Sequence, residues 1–551
     1  MGRYINPHPV NFQTAINSEI YIDKTELIIY TNKMVNTQQK YMCISRPRRF
    51  GKTMAMNMLA AYYEYGFDNT ELFKDCIIRK RYSDSYIMSA NKYNVVVLTM
   101  TDFFQSDKTV KEGLEKLEKK LIRDFNKSFP DIDFSDCDDI IDIFSEVFSV
   151  TNHQFVVLID EWDSIFRESK DDYAGHKQYL DFLRNLLKDK NYIALVYMTG
   201  ILPIKKYGKH SALNMFDEYS MDNPSILAPY FGFTAIEVKM LCEKYTIDFY
   251  KCQEWYDGYL LKYNVWDKHS KQHKKYKCEL YSPLSLVKSV KSGEFSNYWN
   301  KTETYEALKE YILLNINGLK NLILRLISGD RVKTDTSSFV NDMTTFNCAD
   351  DVLTLLIHLG YLGYDSDSAE VFIPNNEIRS EFALSIKDSN EWSSVYDAIK
   401  KSDELLEATL RKDGNMVADI IENLHFETSI LQYNDENALS YVISLAYYTA
   451  RRKYKIVREM PLGKGYADLV FLPLPHYSEL PAIVVELKWN HSAETAINQI
   501  KDNKYCDSLK GYSGKVLLVG IIIRRTLMAR MPRNISVQLR SGLYEHENEG
   551  F

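Results

Sequence analysis

Two groups of residues in this 551-residue sequence have types and spacings that could do chemistry. The first is Ser45-Arg-Pro-Arg-Arg-Phe-Gly-Lys-Thr53, lying between a short apolar run and a helical stretch. Backbone N–H groups over Arg48, Arg49, Phe50 and Gly51, just ahead of a helix N-terminus, would form a concave anion site strengthened by the helix dipole. Lys52 would reach the β- and γ-phosphates of a nucleotide, and the Thr53 hydroxyl would ligate Mg²⁺. The usual phosphate loop has glycine where Arg46 stands, so this loop must bend differently. Arg46, Arg48 and Arg49 crowd the place of phosphate charge. One could contact the γ-phosphate, or all could pair with acids elsewhere on the domain. About a hundred residues on, Phe155-Val-Val-Leu-Ile-Asp-Glu161 reads as a buried strand ending in two acids. Asp160 would hold Mg²⁺ through water, and Glu161 could polarise the water attacking the γ-phosphate. A third apolar run ends at Thr199-Gly200, which fits a sensor position. Asp23-Lys24-Thr25 could help close over the nucleotide. The expected ligands are ATP and Mg²⁺.

The second group is Gly465-Tyr-Ala-Asp468, then 17 residues, then Glu486-Leu-Lys488. Strand alternation puts Glu486 and Lys488 on one face, and Asp468 meets that face if its strand pairs with theirs. Asp468 and Glu486 would bind a hard cation such as Mg²⁺, and Lys488 would help hold or deprotonate the attacking water. That chemistry is metal-dependent phosphodiester hydrolysis. Gln499 and Tyr505 follow on a helix, and Glu436 precedes as a further candidate ligand. The plain alternative for Glu486 and Lys488 is an edge-strand ion pair; for Glu436 it is an acid near a helix start, explained by the dipole. Arg524, Arg525, Arg530 and Arg533 could track phosphate or form a solvated tail.

Positioning these groups requires α/β architecture. Tyr41–Ile44, Val95–Thr99, Phe155–Ile159 and Ile193–Met198 are short, nearly continuous apolar runs. They suit strands buried on both faces of a parallel sheet, with helices between them. Residues 1–230 are therefore expected to form a phosphate-loop domain. Residues 231–300 read as a helical, aromatic and turn-rich extension, in which the basic run Lys268–Lys277 is read as a solvated hairpin tip. Residues 301–400 read as a winged-helix-like connector: a helix at Ala349–Leu359, then a hairpin around Asp365–Ala369, with packing its default role. Residues 401–551 complete an α/β domain with strands at Lys455–Met460, Ala467–Phe471, Ala482–Leu487 and Lys515–Ile523, and a helix near 492–504.

Composition narrows the setting. Apolar residues make up 45% and charged residues 26%, which excludes wholesale disorder, and 68 basic against 75 acidic side chains give a net charge of −7. Nucleic acid would have to meet local basic patches. Eight dispersed cysteines with no C-x-x-C pair look like reduced thiols. Apolar runs fall short of the ~18–20 residues that span a bilayer. No membrane association and a cytoplasmic location are expected.

Taken together, Tyr21-Ile-Asp-Lys-Thr25, Arg46-Pro-Arg-Arg-Phe-Gly-Lys-Thr53, Ile159-Asp-Glu161, Thr199-Gly200, Trp255-Tyr-Asp-Gly-Tyr259 and Tyr281-Ser-Pro-Leu-Ser285 resemble the AAA-ATPase-like family of bacterial proteins. The resemblance covers nearly the whole chain. It implies a phosphate-loop domain lacking the first glycine, followed by a C-terminal PD-(D/E)XK nuclease-like, restriction-endonuclease-like domain, whose core pattern Asp468…Glu486-x-Lys488 matches. Nucleic acid, DNA before RNA, is then the expected partner, and an arginine acting in cis or in trans reads alike, which leaves a homo-oligomer open. The expected activity is an ATPase coupled to a Mg²⁺-dependent nuclease; by analogy the pairing suits action on foreign or mobile DNA. The alternative is a nucleotide-dependent regulatory or assembly protein whose nuclease-like domain only docks.

Overall fold

A computed structural model describes the chain except residues 1, 105–108, 205–212, 268–269, 300–305, 341–342, 344, 388, 428–439, 441–442, 463, 490–492, 503–508, 510–514, 524–534 and 543–551. Glu436, Tyr505 and the four C-terminal arginines named above lie outside the described residues. The chain divides into two compact units. One is Met1–Tyr298 with Lys333–Pro374; the other is Trp299–Val332 with Asn375–Phe551.

The first unit is built on five strands: β1 (Tyr41–Ser45), β2 (Asn94–Thr99), β3 (Phe155–Asp160), β4 (Ile193–Gly200) and β5 (Asp217–Tyr219). Their order is β2-β3-β4-β1-β5 and every pairing is parallel. Every residue of β1, β3 and β4 is buried, as continuous apolar runs covered on both faces require. One face packs on the helix α1 (Lys52–Tyr63) through Met56, Leu59 and Tyr63. The other packs on α2 (Val110–Ser128), α3 (Ile140–Thr151) and α4 (Tyr173–Leu187) through Leu117, Leu121, Phe144, Val147 and Leu183. A capping box starts α2: the Thr109 hydroxyl accepts the Glu112 N–H, and the Glu112 carboxylate accepts the Thr109 N–H. The register sets Thr99 beside Asp160 and Ile44 beside Thr199, so the carboxyl ends of β1, β3 and β4 line one edge. Ligands of open α/β sheets bind at such an edge.

Beyond this sheet, Tyr259–Asp267 and Gln272–Tyr281 form an antiparallel hairpin whose far strand is exposed over Gln272–Lys277. The helix Ala349–Leu359 is followed by the short antiparallel pair Gly363–Asp365 and Glu370–Phe372, the predicted helix-then-hairpin order. It packs on the long hairpin: the Tyr259 hydroxyl donates to the Gly360 carbonyl at 2.7 Å. Gly258 sits at φ +103°, where a Cβ would come within 2.4 Å of the Pro374 carbonyl oxygen, so only glycine fits.

The second unit holds a mixed sheet of β6 (Tyr454–Leu462), β7 (Gly465–Pro473), β8 (Ala482–Trp489), β9 (Val516–Ile523) and β10 (Ile535–Gly542), in that order. Only β8 and β9 run parallel. Leu469, Phe471, Val485 and Leu487 share a core with α6 (Ser393–Leu410) and α7 (Gly414–Glu427). Val470, Val484 and Leu518 point the other way, onto Ile497 and Ile500 of α8 (Ala493–Asp502). A further helix, α5 (Asn376–Ser385), belongs to this unit. Among the described residues no helix is long and apolar enough to cross a membrane, and the seven cysteines are unbridged.

Candidate functional site

In the first unit, the turn after β1 delivers Lys52 and Thr53 to the start of α1. Gly51, at φ +87°, and Arg49, at φ +67°, make the left-handed bends that aim the loop into the helix. Lys52 is buried, and its ammonium donates to the Arg46 and Pro47 carbonyls, both at 2.9 Å. Burial pulls it down to about 8, while Asp160, Asp163 and Glu161 pull it back up. The Thr53 hydroxyl donates to Asp160 Oδ2 at 2.5 Å. Asp160 Oδ1 accepts from the Thr199 hydroxyl and from the Glu161 N–H. Lys52, Thr53, Asp160, Glu161 and Thr199, read from three separate segments, thus meet at one sheet edge. Thr199 is fully buried behind Asp160, so its contact is with the acid. Arg48 is exposed on the loop and Arg49 half-buried.

Two expectations need correction. Arg46 does not stand where a γ-phosphate could reach it, nor does it pair with an acid. It is fully buried, donates to the Ser45 and Tyr219 carbonyls at 2.8 Å each, and stacks over the Phe231 ring. Where the usual loop bends through glycine, this one is braced from behind by a guanidinium, which burial pulls down to about 10. The Asp23-Lys24-Thr25 segment does not close over the loop. Lys24 is tied to Glu237 and to the Pro229 carbonyl at 2.7 Å, and Asp23 accepts from Thr25 and from the Ile77 N–H.

In this region Asp163 and Arg167 had no assigned role in the sequence, and the Phe50 ring had none beside its N–H. Phe50 is buried edge-on against Tyr259, with centroids 5.3 Å apart, and its carbonyl accepts the Gly232 N–H. The Trp-Tyr-Asp-Gly-Tyr segment therefore supports the phosphate loop, and what Phe50 can offer a ligand is its own N–H. Asp163, fully buried, accepts the Ile201 and Leu202 N–H groups and fixes the turn after β4. Arg167 bonds Glu161 at 3.1 Å and lies 3.9 Å from Asp163. Glu161 itself is held at φ +51°, an uncommon conformation for a side chain of its size. The written signal for Arg167 is its place four residues after Asp163, an i,i+4 spacing; its bond to Glu161, six residues back, follows no such pattern.

In the second unit, Leu469 pairs with Val485 across β7 and β8, so the next pair brings Asp468 opposite Glu486. Both face the α8 side, as does Lys488 two residues on. Asp468 Oδ2 accepts the Leu487 N–H at 2.7 Å, closing the gap between the strands. Glu486 is 1% exposed, and the Lys488 ammonium lies 3.0 Å from its Oε1. Gln499 is half-buried on α8, beside Ile500. A carboxylate this deep is costly unless charge meets it, and here a lysine does so. The oxygen donors of Asp468 and Glu486 suit a hard divalent cation, as do the Thr53 hydroxyl and Asp160 of the first unit. No group of three or more His, Cys, Asp or Glu placed to hold a metal occurs among the described residues, so bound cations at either place would complete their shells with water or ligand oxygens.

Comparison with known proteins finds a family match over a stretch of each unit. The family model described as a predicted AAA-ATPase matches residues 10–209, and that of the PD-(D/E)XK nuclease superfamily matches residues 435–531. An uncharacterized protein encoded in the vnfD 5′ region of Azotobacter chroococcum mcd 1 is 22% identical over 528 residues, covering 92% of this chain and 93% of that protein. The solved structure of the Aeropyrum pernix ORC2 protein, in ADPNP and ADP complexes, aligns over 68% of this chain and 97% of its own at 11% identity. Its TM-score is 0.27. The chain carries an AAA-ATPase-like domain and, C-terminal to it, a domain of the PD-(D/E)XK nuclease superfamily.

Proposed function

We propose that the chain binds and hydrolyses ATP with Mg²⁺ at the β1–α1 loop, and that this nucleotide cycle governs Mg²⁺-dependent cleavage of DNA by the C-terminal domain. Lys52 and the N–H groups of Arg48, Arg49, Phe50 and Gly51 hold the phosphates; Thr53 and Asp160, backed by Thr199, hold the cation. Glu161 orients the attacking water once Arg167 releases it. In the second unit a bound divalent cation supplies Lewis acidity and an acidified water. Asp468 and Glu486 would hold that cation, Lys488 would offset the negative charge developing on the attacking water and the phosphorane, and Gln499 would position the strand. The observation that carries the reading is the meeting of Asp468, Glu486 and Lys488 on one face of β7 and β8.

The test is plasmid nicking with Mg²⁺ or Mn²⁺, with and without ATP, beside Glu486→Ala. Cleavage that needs metal and vanishes in the variant supports the nuclease, and dependence on ATP supports the coupling. A second reading, a nucleotide-driven assembly protein with a docking domain, is favoured by the closed Lys488–Glu486 ion pair. It is the one left standing if ATP is hydrolysed and no strand is cut.

A further inference from the structure

On the sheet face away from Asp468 and Glu486, the second unit gathers arginines that no part of that reading uses. Arg325 and Arg458 both approach Asp330, at 3.6 and 3.4 Å. Arg451 donates to the Ser444 carbonyl at 3.0 Å, to the Ser444 hydroxyl at 2.7 Å and to the Ser328 carbonyl. Gly329 makes room for it: a Cβ there would lie 2.6 Å from Arg451 Nε. Arg379 of α5 lies over the Tyr448 ring at 5.8 Å, and the Tyr448 hydroxyl donates to its carbonyl. Arg452, next along, is exposed.

Charge in this cluster is unbalanced. Arg379, Arg451 and Arg452 have no carboxylate partner among the described residues. Nε and Nη1 of Arg379 are shielded from solvent without a hydrogen-bond partner there. The acids of α5, Glu377 and Glu381, are each two residues from Arg379, ~200° round the helix, and so stand on its other side. Burial first, then the neighbouring Arg379 and Arg458, pulls Arg451 down to about 9, with Tyr448 and Asp330 opposing. Packing several guanidinium groups together out of water is costly without an anion to share them. Their planar forks of N–H donors match the oxygens of a phosphate group, which a tightly hydrated ammonium would do less well.

We propose that Arg379, Arg451 and Arg452 form a phosphate-binding site that grips the backbone of a nucleic-acid strand on the opposite face of the sheet from Asp468 and Glu486. The inference rests on the nuclease reading for its ligand, but not for its geometry. It gives the domain a hold on the strand independent of the metal and of the residues that would cut.

The test uses the full chain in EDTA, so that binding is read without cleavage. Anisotropy of a labelled single-stranded oligonucleotide is followed across salt concentrations for the parent, Arg379→Gln and Arg452→Gln. Each variant is expected to lose about five- to tenfold in affinity, and its log K against log salt slope should flatten by ~0.7, the signature of one lost phosphate contact on a single strand. Millimolar pyrophosphate should compete with the parent and lose that effect in the variants. Arg452 is exposed, so its substitution reads the site even if Arg379→Gln fails to fold. Unchanged affinity and slope in folded Arg452→Gln and Arg379→Gln would overturn the proposal. Variant-sensitive binding of pyrophosphate without any of the oligonucleotide would overturn the strand as ligand and leave free phosphate. A Glu486→Gln chain that no longer cuts but keeps this salt slope separates the two readings, as does one that still cuts.

Discussion

Glu64 ends the helix that begins with Lys52, and its carboxylate is buried to 1% exposure with neither oxygen placed for a hydrogen bond of ordinary geometry. Burial raises it from the ordinary 4.5 to about 7, with nearby Asn69 offsetting part of the rise. The sign follows from which state holds the proton. Below pH 4.5 the carboxyl is protonated folded or unfolded, and its burial costs nothing extra. Between 4.5 and 7 the opened chain sheds the proton that the folded chain keeps, so stability falls as pH rises, and above 7 the full cost is present. At 1.36 kcal/mol per pH unit the bound is roughly 3 kcal/mol, and a working range is about 1–3 kcal/mol. Glu64→Gln keeps the size and removes the charge, so it should stabilise α1 by that amount at pH 8 and hardly at all at pH 4.5. Global melting of a chain with two compact units need not be one transition. The assay is therefore hydrogen exchange of the α1 amides, corrected for intrinsic rates, at pH 5 and pH 8. The parent's opening free energy should fall between the two and the variant's should not. Equal falls in both would refute the argument, because another group would then carry the titration.

Arg46→Met should destabilise the first unit by about 2–4 kcal/mol and weaken nucleotide binding, since it leaves the Ser45 and Tyr219 carbonyls buried without donors; thermal shifts with and without ATP measure both. Gly258→Ala should cost about 2–4 kcal/mol, from strain at φ +103° and the clash with Pro374, and a melting curve reads it. Glu161→Gln should keep ATP binding but lose ~100-fold or more in hydrolysis, whereas Lys52→Ala should lose binding itself; retained nucleotide and released phosphate distinguish the two.

Much of the fold was legible because burial on two faces leaves a plain trace. The apolar runs at Val95, Phe155 and Ile193 became adjacent parallel strands, and period-two alternation alone put Glu486 and Lys488 on one face. The last strand, Ile535–Gly542, left no such trace: its sequence mixes Gln, Arg and Ser among apolar residues, and most of it is half-buried. Arg46 was misread because residue type reports charge and not depth. A guanidinium beside a phosphate loop looks the same on paper whether it faces ligand or braces backbone, and only the Tyr219 carbonyl and Phe231 ring decide. Lys24 and Glu237 are 213 residues apart, and no local pattern could announce their ion pair. Boundaries drawn from composition follow the chain in order, whereas the return of Lys333–Pro374 to the first unit depends on contacts such as Tyr259 with Gly360.

That return has a consequence for the order of synthesis. The chain passes from the first unit to the second at Trp299, back at Lys333, and out again at Asn375. A ribosome that has released the first 298 residues has not yet made the helix and hairpin that close over Tyr259 and Gly258. The support behind Phe50, and with it the phosphate loop, is complete only after Pro374 has emerged. By then Trp299–Val332 is waiting for partners that are still to be translated, its apolar residues Leu319, Ile323 and Leu326 exposed to whatever is nearby. A fragment cut at residue 300 to isolate the AAA-ATPase-like domain would therefore be missing part of its own unit, and its inactivity would say nothing about the whole chain. One ending just after Pro374 would hold a complete first unit and an orphaned helix, whose apolar face would need to be replaced or shielded.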